Sequence, residues 1–266
     1  MGGLGSEVGG LRFGFGRNWT SFSGKALTPE SIAEARAQFA ALLEGIDPAG
    51  KRFLDIGFGQ GLPLIFARES GADALGIDID PDNETALRAT ARAMGLSGPP
   101  PHRIVSILDP NLPREYPEGF QIVHSWGVLH HTGNMRAAVE AACRLVADGG
   151  YFICAIYNRH WTSPAWKVIK RLYNLLPPPG RALLVWGLYP VIFAAKFLVT
   201  GRDPREMRRG MDFRHNVVDW VGGYPYEYAT VEEVKALVEP FGFILRRAIR
   251  ARIPIACNEF VFQRIT

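Results

Sequence analysis

Four groups of residues in this chain have the types and spacing to do chemistry. The first is Asp55 with Gly57, Gly59 and Gly61, in the run Phe53-Leu54-Asp55-Ile56-Gly57-Phe58-Gly59-Gln60-Gly61-Leu62. An apolar run, a glycine-rich turn and a helix start, with Pro63 in its first turn, bring bare backbone up to a polar ligand. A dinucleotide fingerprint would need its third glycine at position 62, where Leu62 stands, so the pattern here is G-x-G-x-G behind an acid. The second group is two carboxylates at the ends of later apolar runs, Asp78 and Asp109. The third is Ser125-Trp126-Gly127-Val128-Leu129-His130-His131, where an imidazole of ordinary pKa about 6.5 can take a proton from a substrate. Further on, Tyr224-Pro225-Tyr226-Glu227-Tyr228 offers pocket-lining material, with Glu227 able to orient a hydroxyl or amine. The same stretch suits a seal between two parts of the fold.

Alternating strands and helices are needed to position these groups. Ile32, Ala35, Phe39, Leu42 and Leu43 recur at helical spacing, which predicts a leading helix over 29–43 with Thr28 as its N-cap. The strand ending in Asp78 lies roughly twenty residues beyond the glycines, as a β-α-β unit requires. Asp80, before Pro81, suits the N-cap of a helix over 82–94. Strands are expected over 103–109, 120–125 and 151–157, and a helix over 135–146. Thr230 and Glu233 form a capping box for a helix over 230–241, and 243–245 with 258–263 read as a closing antiparallel pair. Ligands of such open sheets sit beyond the strand C-termini at the switch point, here between the first and fourth strands. Ser125, Trp126, His130 and His131 fall at that place.

The chain has 266 residues, of which 47% are hydrophobic, enough for a sizeable core. Its three cysteines, Cys143, Cys154 and Cys257, lack metal-ligand spacing and an even disulfide framework, so no metal is expected and a reducing compartment is. Residues 1–16 hold no apolar signal core, which adds to a cytoplasmic expectation. In the aromatic, glycine-rich stretch 13–19, Trp19 suits either a lid over a ligand or a plug at the core edge.

Residues 158–229 are too many for a loop in a compact domain. The first helix there puts Trp166, Ile169, Leu172, Tyr173 and Leu176 on one face and Lys167, Lys170, Arg171 and Asn174 on the other. Residues 182–199 are nearly all apolar, broken by Pro190 and Lys196. A spanning helix needs about 20 apolar residues, so a buried or interfacial helix pair is the expectation. Within 158–216, eleven Lys and Arg stand against three acids, a net +8 in a chain of net +4, which leaves −4 for the remainder. Apolar helices bordered by basic residues suit an anionic membrane surface, a lipid-linked acceptor or an anionic small molecule. A solvated basic face is the plainer alternative.

The run from Asp55 to Gly61 resembles motif I of class I S-adenosylmethionine-dependent methyltransferases, with Phe58 where that family more often has a small residue. Ala147-Asp148-Gly149-Gly150 is similar to the family's entry to strand five, with Ala-Asp for Lys-Pro. From Phe15-Gly16-Arg17-Asn18-Trp19 through Asp219-Trp220-Val221-Gly222-Gly223 to Asn258-Glu259-Phe260-Val261-Phe262, the chain looks like a bacterial ubiquinone-methylase-like subfamily. The resemblance implies a Rossmann-like α/β fold with a seven-stranded sheet and a helical cap inserted between strand five and the last helix. The expected parts are an arm and leading helix (1–50), a cofactor core (51–157), the cap (158–229) and the closing helix and strands (230–266). S-adenosylmethionine is the implied cofactor. Asp55 would lie below its ammonium, Gly57, Gly59 and Gly61 would admit its methionine tail, and Asp78 would accept both ribose hydroxyls. Asp109 would take the adenine amine, or simply form the turn before Pro110. Ser125 and Trp126 would stand near the methyl, Trp126 as an apolar wall, and Trp19 would cover the cofactor. His131 or His130, with Glu227 and Tyr226, would serve the acceptor, a small or lipid-like molecule. An RNA acceptor is the rival, but the Asn-Pro-Pro-Tyr type motif is replaced by His124-Ser125-Trp126-Gly127, which argues against nucleic acid. A non-catalytic membrane scaffold on the same fold is a second rival.

Overall fold

The structure is a computed structural model that describes residues 13–16, 27–201, 203–205, 213–251, 253 and 256–265. Among these residues the strands β1 (Arg52–Ile56), β2 (Asp73–Asp78), β3 (His102–Ile104), β4 (Phe120–Trp126), β5 (Val146–Tyr157), β6 (Phe243–Ile249) and β7 (Cys257–Arg264) form one sheet. Their order is β3-β2-β1-β4-β5-β7-β6. β1 to β5 run parallel, while β7 is antiparallel to both β5 and β6. The order reverses between β1 and β4, so a crevice opens beyond their C-terminal ends.

Near-continuous apolar runs make these strands, because parallel strands are buried on both faces. Phe53, Ile122, Ile153 and Val261 face helices α1 (Pro29–Leu42), α2 (Leu62–Glu69) and α3 (Asp82–Ala93). Leu54, Val123, Phe152 and Phe260 face α5 (Met135–Arg144) and α9 (Val231–Val238), with the short α4 (Leu112–Glu115) at the edge. Thr28 and Ser31 close a capping box on α1, and Thr230 and Glu233 another on α9.

The third strand is shorter than its apolar run. It ends at Ile104 rather than 109, because Ser106 and Asp109 turn the chain through their side chains, accepting from Leu108 N at 3.1 Å and Asn111 N at 2.9 Å.

The chain leaves the sheet at Asn158 and returns at Ala229, where the two residues form a parallel bridge. Between them α6 (Ser163–Leu175), α7 (Pro178–Thr200) and α8 (Phe213–Gly222) build a third apolar cluster on Tyr173, Ile192, Phe213, Val217 and Val221. Helix α6 keeps Trp166, Ile169 and Tyr173 on this cluster but departs from its sequence pattern elsewhere. Lys170 and Asn174 are buried, while Val168 and Leu172 are exposed beside Lys167 and Arg171. The polar pair goes inward because it meets backbone acceptors: Lys170 Nζ donates to Trp220 O, and Asn174 Nδ2 donates to Lys170 O at 2.8 Å and Gly222 O at 2.7 Å. On α7 only Ile192 is buried, and Leu183 (69%), Trp186 (77%) and Leu198 (81%) stand open to solvent.

Candidate active site

The crevice between β1 and β4 begins at the turn after β1. Gly57 and Gly61 both have positive φ, +73° and +86°. A Cβ on Gly57 would meet Val128 at 2.4 Å, and one on Gly61 would meet Leu87 at 2.0 Å, so neither position tolerates a side chain. Gly59 N donates to Asp78 Oδ2 at 3.1 Å, tying the turn to the end of β2. Phe58 is buried against His102, and Gly76 leaves room for its ring.

Asp55 is buried, with Oδ1 2.7 Å from His124 Nδ1 across the β1–β4 register. Among the described residues its second oxygen has no partner. Asp78 is also buried. Oδ1 accepts from Asp80 N at 2.9 Å, and Oδ2 accepts from Asn83 Nδ2 at 2.9 Å as well as from Gly59. This corrects the expectation of a carboxylate offering both oxygens to a ribose: Oδ2 is already committed to the protein, and Oδ1 keeps the spare lone pair. Burial is the main reason the Asp78 carboxyl is held above its usual pKa. Since a carboxylate needs donors, the Asn83 amide presents nitrogen to Asp78 and leaves its oxygen, Oδ1, buried and unpartnered. Gln60 Oε1 is in the same state. Among the described residues three buried acceptors without donors therefore gather round the glycine turn.

Asp80 combines two roles. It accepts from Asp82 N at the start of α3, at 3.0 Å, and from Gly16 N of the N-terminal arm, at 2.8 Å. The same arm places Phe15 4.8 Å from the His131 ring, and Phe13 N donates to Tyr224 O at 2.9 Å. Trp19 lies outside the described residues.

Beyond β4 the chain makes a single 3-10 turn, Leu129–His131. His131 is half-buried, and its Nδ1 lies 2.5 Å from Pro225 O, so it must donate there, which puts the basic lone pair of the neutral ring on Nε2. His130 is fully buried, and burial is the first cause of a pKa well below the ordinary histidine value. Its ring is wedged 4.4 Å from His131 and 4.2 Å from Tyr157. It stays neutral at physiological pH, and of the two histidines His131 is the one with access to solvent.

Several expected site residues do other work. Ser125 is buried, and its Oγ donates to Ile56 O at 3.2 Å, stitching β1 to β4 instead of facing a ligand. Trp126 points to the α1 face, donates to Glu259 Oε1 at 3.2 Å, and lines a cavity of about 140 Å³ with Gln38, Ala41 and Ile249. Asp109 is a turn former, as above. Glu227 Oε2 accepts from Met135 N at 2.9 Å, so it serves the N-terminus of α5. Tyr226 is buried between Tyr157 and Tyr228, with burial pushing its hydroxyl up to about 12. Tyr226 packs and Glu227 caps.

Sequence reading missed His124, Gln60, Asn83 and Lys170. His124 carried a signal, since its place opposite Asp55 follows from aligning β1 with β4. The inward turn of Lys170 depends on the backbone carbonyl of a helix fifty residues away, which no local pattern encodes.

Residues 28–243 match the family profile described as a methyltransferase domain. The chain is 30% identical over 165 residues to a ubiquinone biosynthesis O-methyltransferase of Bordetella avium (strain 197N), covering 62% of this chain and 66% of that one. A protein of the same description from Cereibacter sphaeroides is 29% identical over 197 residues, covering 72% of this chain and 74% of that one. The matched segment thus spans just under two thirds of the Bordetella relative, and 52% of one from Photorhabdus laumondii. Among solved structures, the magnesium protoporphyrin IX methyltransferase of Synechocystis PCC 6803 with bound S-adenosylhomocysteine superposes with a TM-score of 0.57. It covers 93% of both chains at 13% identity, which is a likeness of fold.

Proposed function

Because this chain belongs to the methyltransferase domain family, we propose that it binds S-adenosylmethionine at the glycine turn and methylates a small, lipid-like acceptor brought in beneath 158–229. The observation that carries this reading is the set of unpartnered buried acceptors, Asp55 Oδ2, Gln60 Oε1 and Asn83 Oδ1, beside the spare lone pair of Asp78. Such a set suits a ligand rich in donors, and S-adenosylmethionine brings an ammonium, two ribose hydroxyls and an adenine amine. When bound, the cofactor supplies a methyl on a sulfonium, already an electrophile with a good leaving group. Asp55 would receive the ammonium, held in place by His124, and Asp78 a ribose hydroxyl. His131 would take the acceptor's proton at Nε2, oriented by Pro225 O. Phe15, against the His131 ring, would keep water away from that nitrogen.

We further propose that the enzyme works at the cytoplasmic surface of a membrane. The open stripe of α7 at Leu183, Trp186, Val191 and Leu198, with exposed Lys167 and Arg171 on the neighbouring α6, suits anionic lipid. Among the described residues α7 is long and apolar enough to cross a bilayer. Its opposite face packs on α8 through Tyr189, Phe193 and Ile192, which supports lying on the surface instead.

Calorimetry with S-adenosylhomocysteine tests the first proposal: wild type should bind, and Asp78→Ala and Gly59→Arg should not. Normal affinity in both variants sinks the cofactor assignment. Sedimentation with phosphatidylglycerol vesicles tests the second. Binding should weaken with salt and with Lys167→Glu/Arg171→Glu, and indifference of the wild type to such vesicles at low salt overturns it.

A further inference from the structure

The two sides of the crevice differ in what they leave unsatisfied. Round the glycine turn the unpartnered buried atoms are acceptors. Between the sheet and α6–α8 they are His130 Nε2 and Trp220 Nε1, the latter a donor and nothing else. Lys170 lies in the same place, 1% exposed. Its ammonium donates to Trp220 O and sits 4.8 Å from the Tyr226 ring centroid and 5.6 Å from those of Tyr157 and Trp220. Among the described residues no carboxylate stands at ion-pair distance from it, and Asp219 acts on it only from farther away.

A lysine so placed is costly to the fold, and nearby Lys167 and Arg171 show that this helix has room for solvated cations. What burial changes is reach: a charge in a low-dielectric wall acts through neighbouring rings, where a surface charge is screened by salt. The ring that separates Lys170 from the histidines is Tyr157, whose centroid is 4.2 Å from His130 and 5.5 Å from His131. His130 is neutral there, so it adds no second positive charge beside Lys170.

We propose that Lys170 is the positioning residue that makes the acceptor side selective for anions, with the Trp220 indole N–H as the donor that meets the acceptor's carboxylate or phenolate oxygen. The inference rests on the methyltransferase reading and names the acceptor class within it. Burial lowers the Lys170 ammonium to about 7. The groups facing it are Tyr157 and Cys257 from the sheet, Asp219 from α8, Tyr226 from the returning chain and His130 from the turn after β4. Anion preference should accordingly be strongest on the acid side of neutrality and fade above it.

The test uses the full chain saturated with S-adenosylhomocysteine and two probes of one shape, 2-naphthoate and neutral 2-naphthamide, titrated by calorimetry at pH 6 and pH 8.5. Wild type should favour the carboxylate by about tenfold or more at pH 6, the scale of one charge-assisted contact, and by less at pH 8.5. Lys170→Met should erase the preference with S-adenosylhomocysteine affinity intact, and Lys170→Arg should keep it and lose its pH dependence. Equal binding of the two probes by wild type, no binding of either, or a preference that survives Lys170→Met overturns the inference. Should the methionine variant fail to fold, a wild-type preference that does not change between the two pH values overturns it. Loss of S-adenosylhomocysteine binding by wild type would instead strike the methyltransferase reading.

Discussion

Replacing Lys170 by methionine keeps the reach of the side chain and removes its charge, which isolates the energetic cost of burying an ammonium. In the folded protein burial lowers its pKa from 10.5 to about 7. An unfolded lysine holds its proton up to about pH 10.4, so the unfolded chain binds the proton more tightly than the native one. The penalty on the native state is therefore fully present below pH 7 and fades as pH rises toward the unfolded value. At about 1.36 kcal/mol per pKa unit, wild type should regain roughly 2–3 kcal/mol between pH 6 and pH 9 that the methionine variant never forfeits. Urea unfolding of both proteins at the two pH values reads this as a difference of differences, in which every group common to both cancels. The stability of Lys170→Met relative to wild type should fall by that amount from pH 6 to pH 9. An unchanged gap would refute the reasoning. A gap that moved the other way would mean that Trp220 O and the three aromatic faces hold the ammonium better than water does.

Three further outcomes follow from the contacts. Glu227→Ala should cost about 1 kcal/mol of stability, the usual worth of a helix cap, while leaving S-adenosylhomocysteine affinity unchanged, as thermal melts and calorimetry can check. His124→Ala should cost about 3 kcal/mol or more in urea unfolding, because Asp55 would keep a buried carboxylate with neither oxygen partnered. If Asp78 accepts a ribose proton as proposed, affinity for S-adenosylhomocysteine should decline as pH falls through its raised pKa and the carboxylate loses its charge. In Asp78→Asn a calorimetric titration from pH 8 to pH 5 should show that limb gone.

The fold was legible wherever a local signal and a topological rule agreed. Asp55, the three glycines and Asp78 are spaced by the β-α-β unit itself, and the structure ties Gly59 to Asp78 directly. Thr28, Thr230 and Glu233 announced their helices through capping chemistry that needs only near neighbours. The acceptor side was less legible because its contacts are long-range. Glu227 reaches α5 across 92 positions and Trp126 reaches Glu259 across 133. A period of 3.6 correctly made α6 a two-faced helix, yet periodicity does not say which face goes in. Aromatic rings and backbone carbonyls received Lys170 and Asn174 beside Trp166, Ile169 and Tyr173, and Leu172 was left outside. Ser125 shows a related limit: its position at the end of β4 was right, and its hydroxyl was spent on the neighbouring strand.

The bridge between Asn158 and Ala229 also bears on how such a protein can change over time. Tyr157 O accepts from Ala229 N at 3.0 Å, and Arg159 N donates to Ala229 O at 3.1 Å, so the helical excursion leaves and re-enters the sheet through one doorway. The ladders that hold β5 between β4 and β7 are made only by residues before the chain departs and after it comes back. Lineages can therefore lengthen, shorten or exchange what lies between these two residues without renegotiating the strand order. Under the proposed function, the part most exposed to such tinkering would be the part that chooses the acceptor, and the glycine turn would be insulated from the trial.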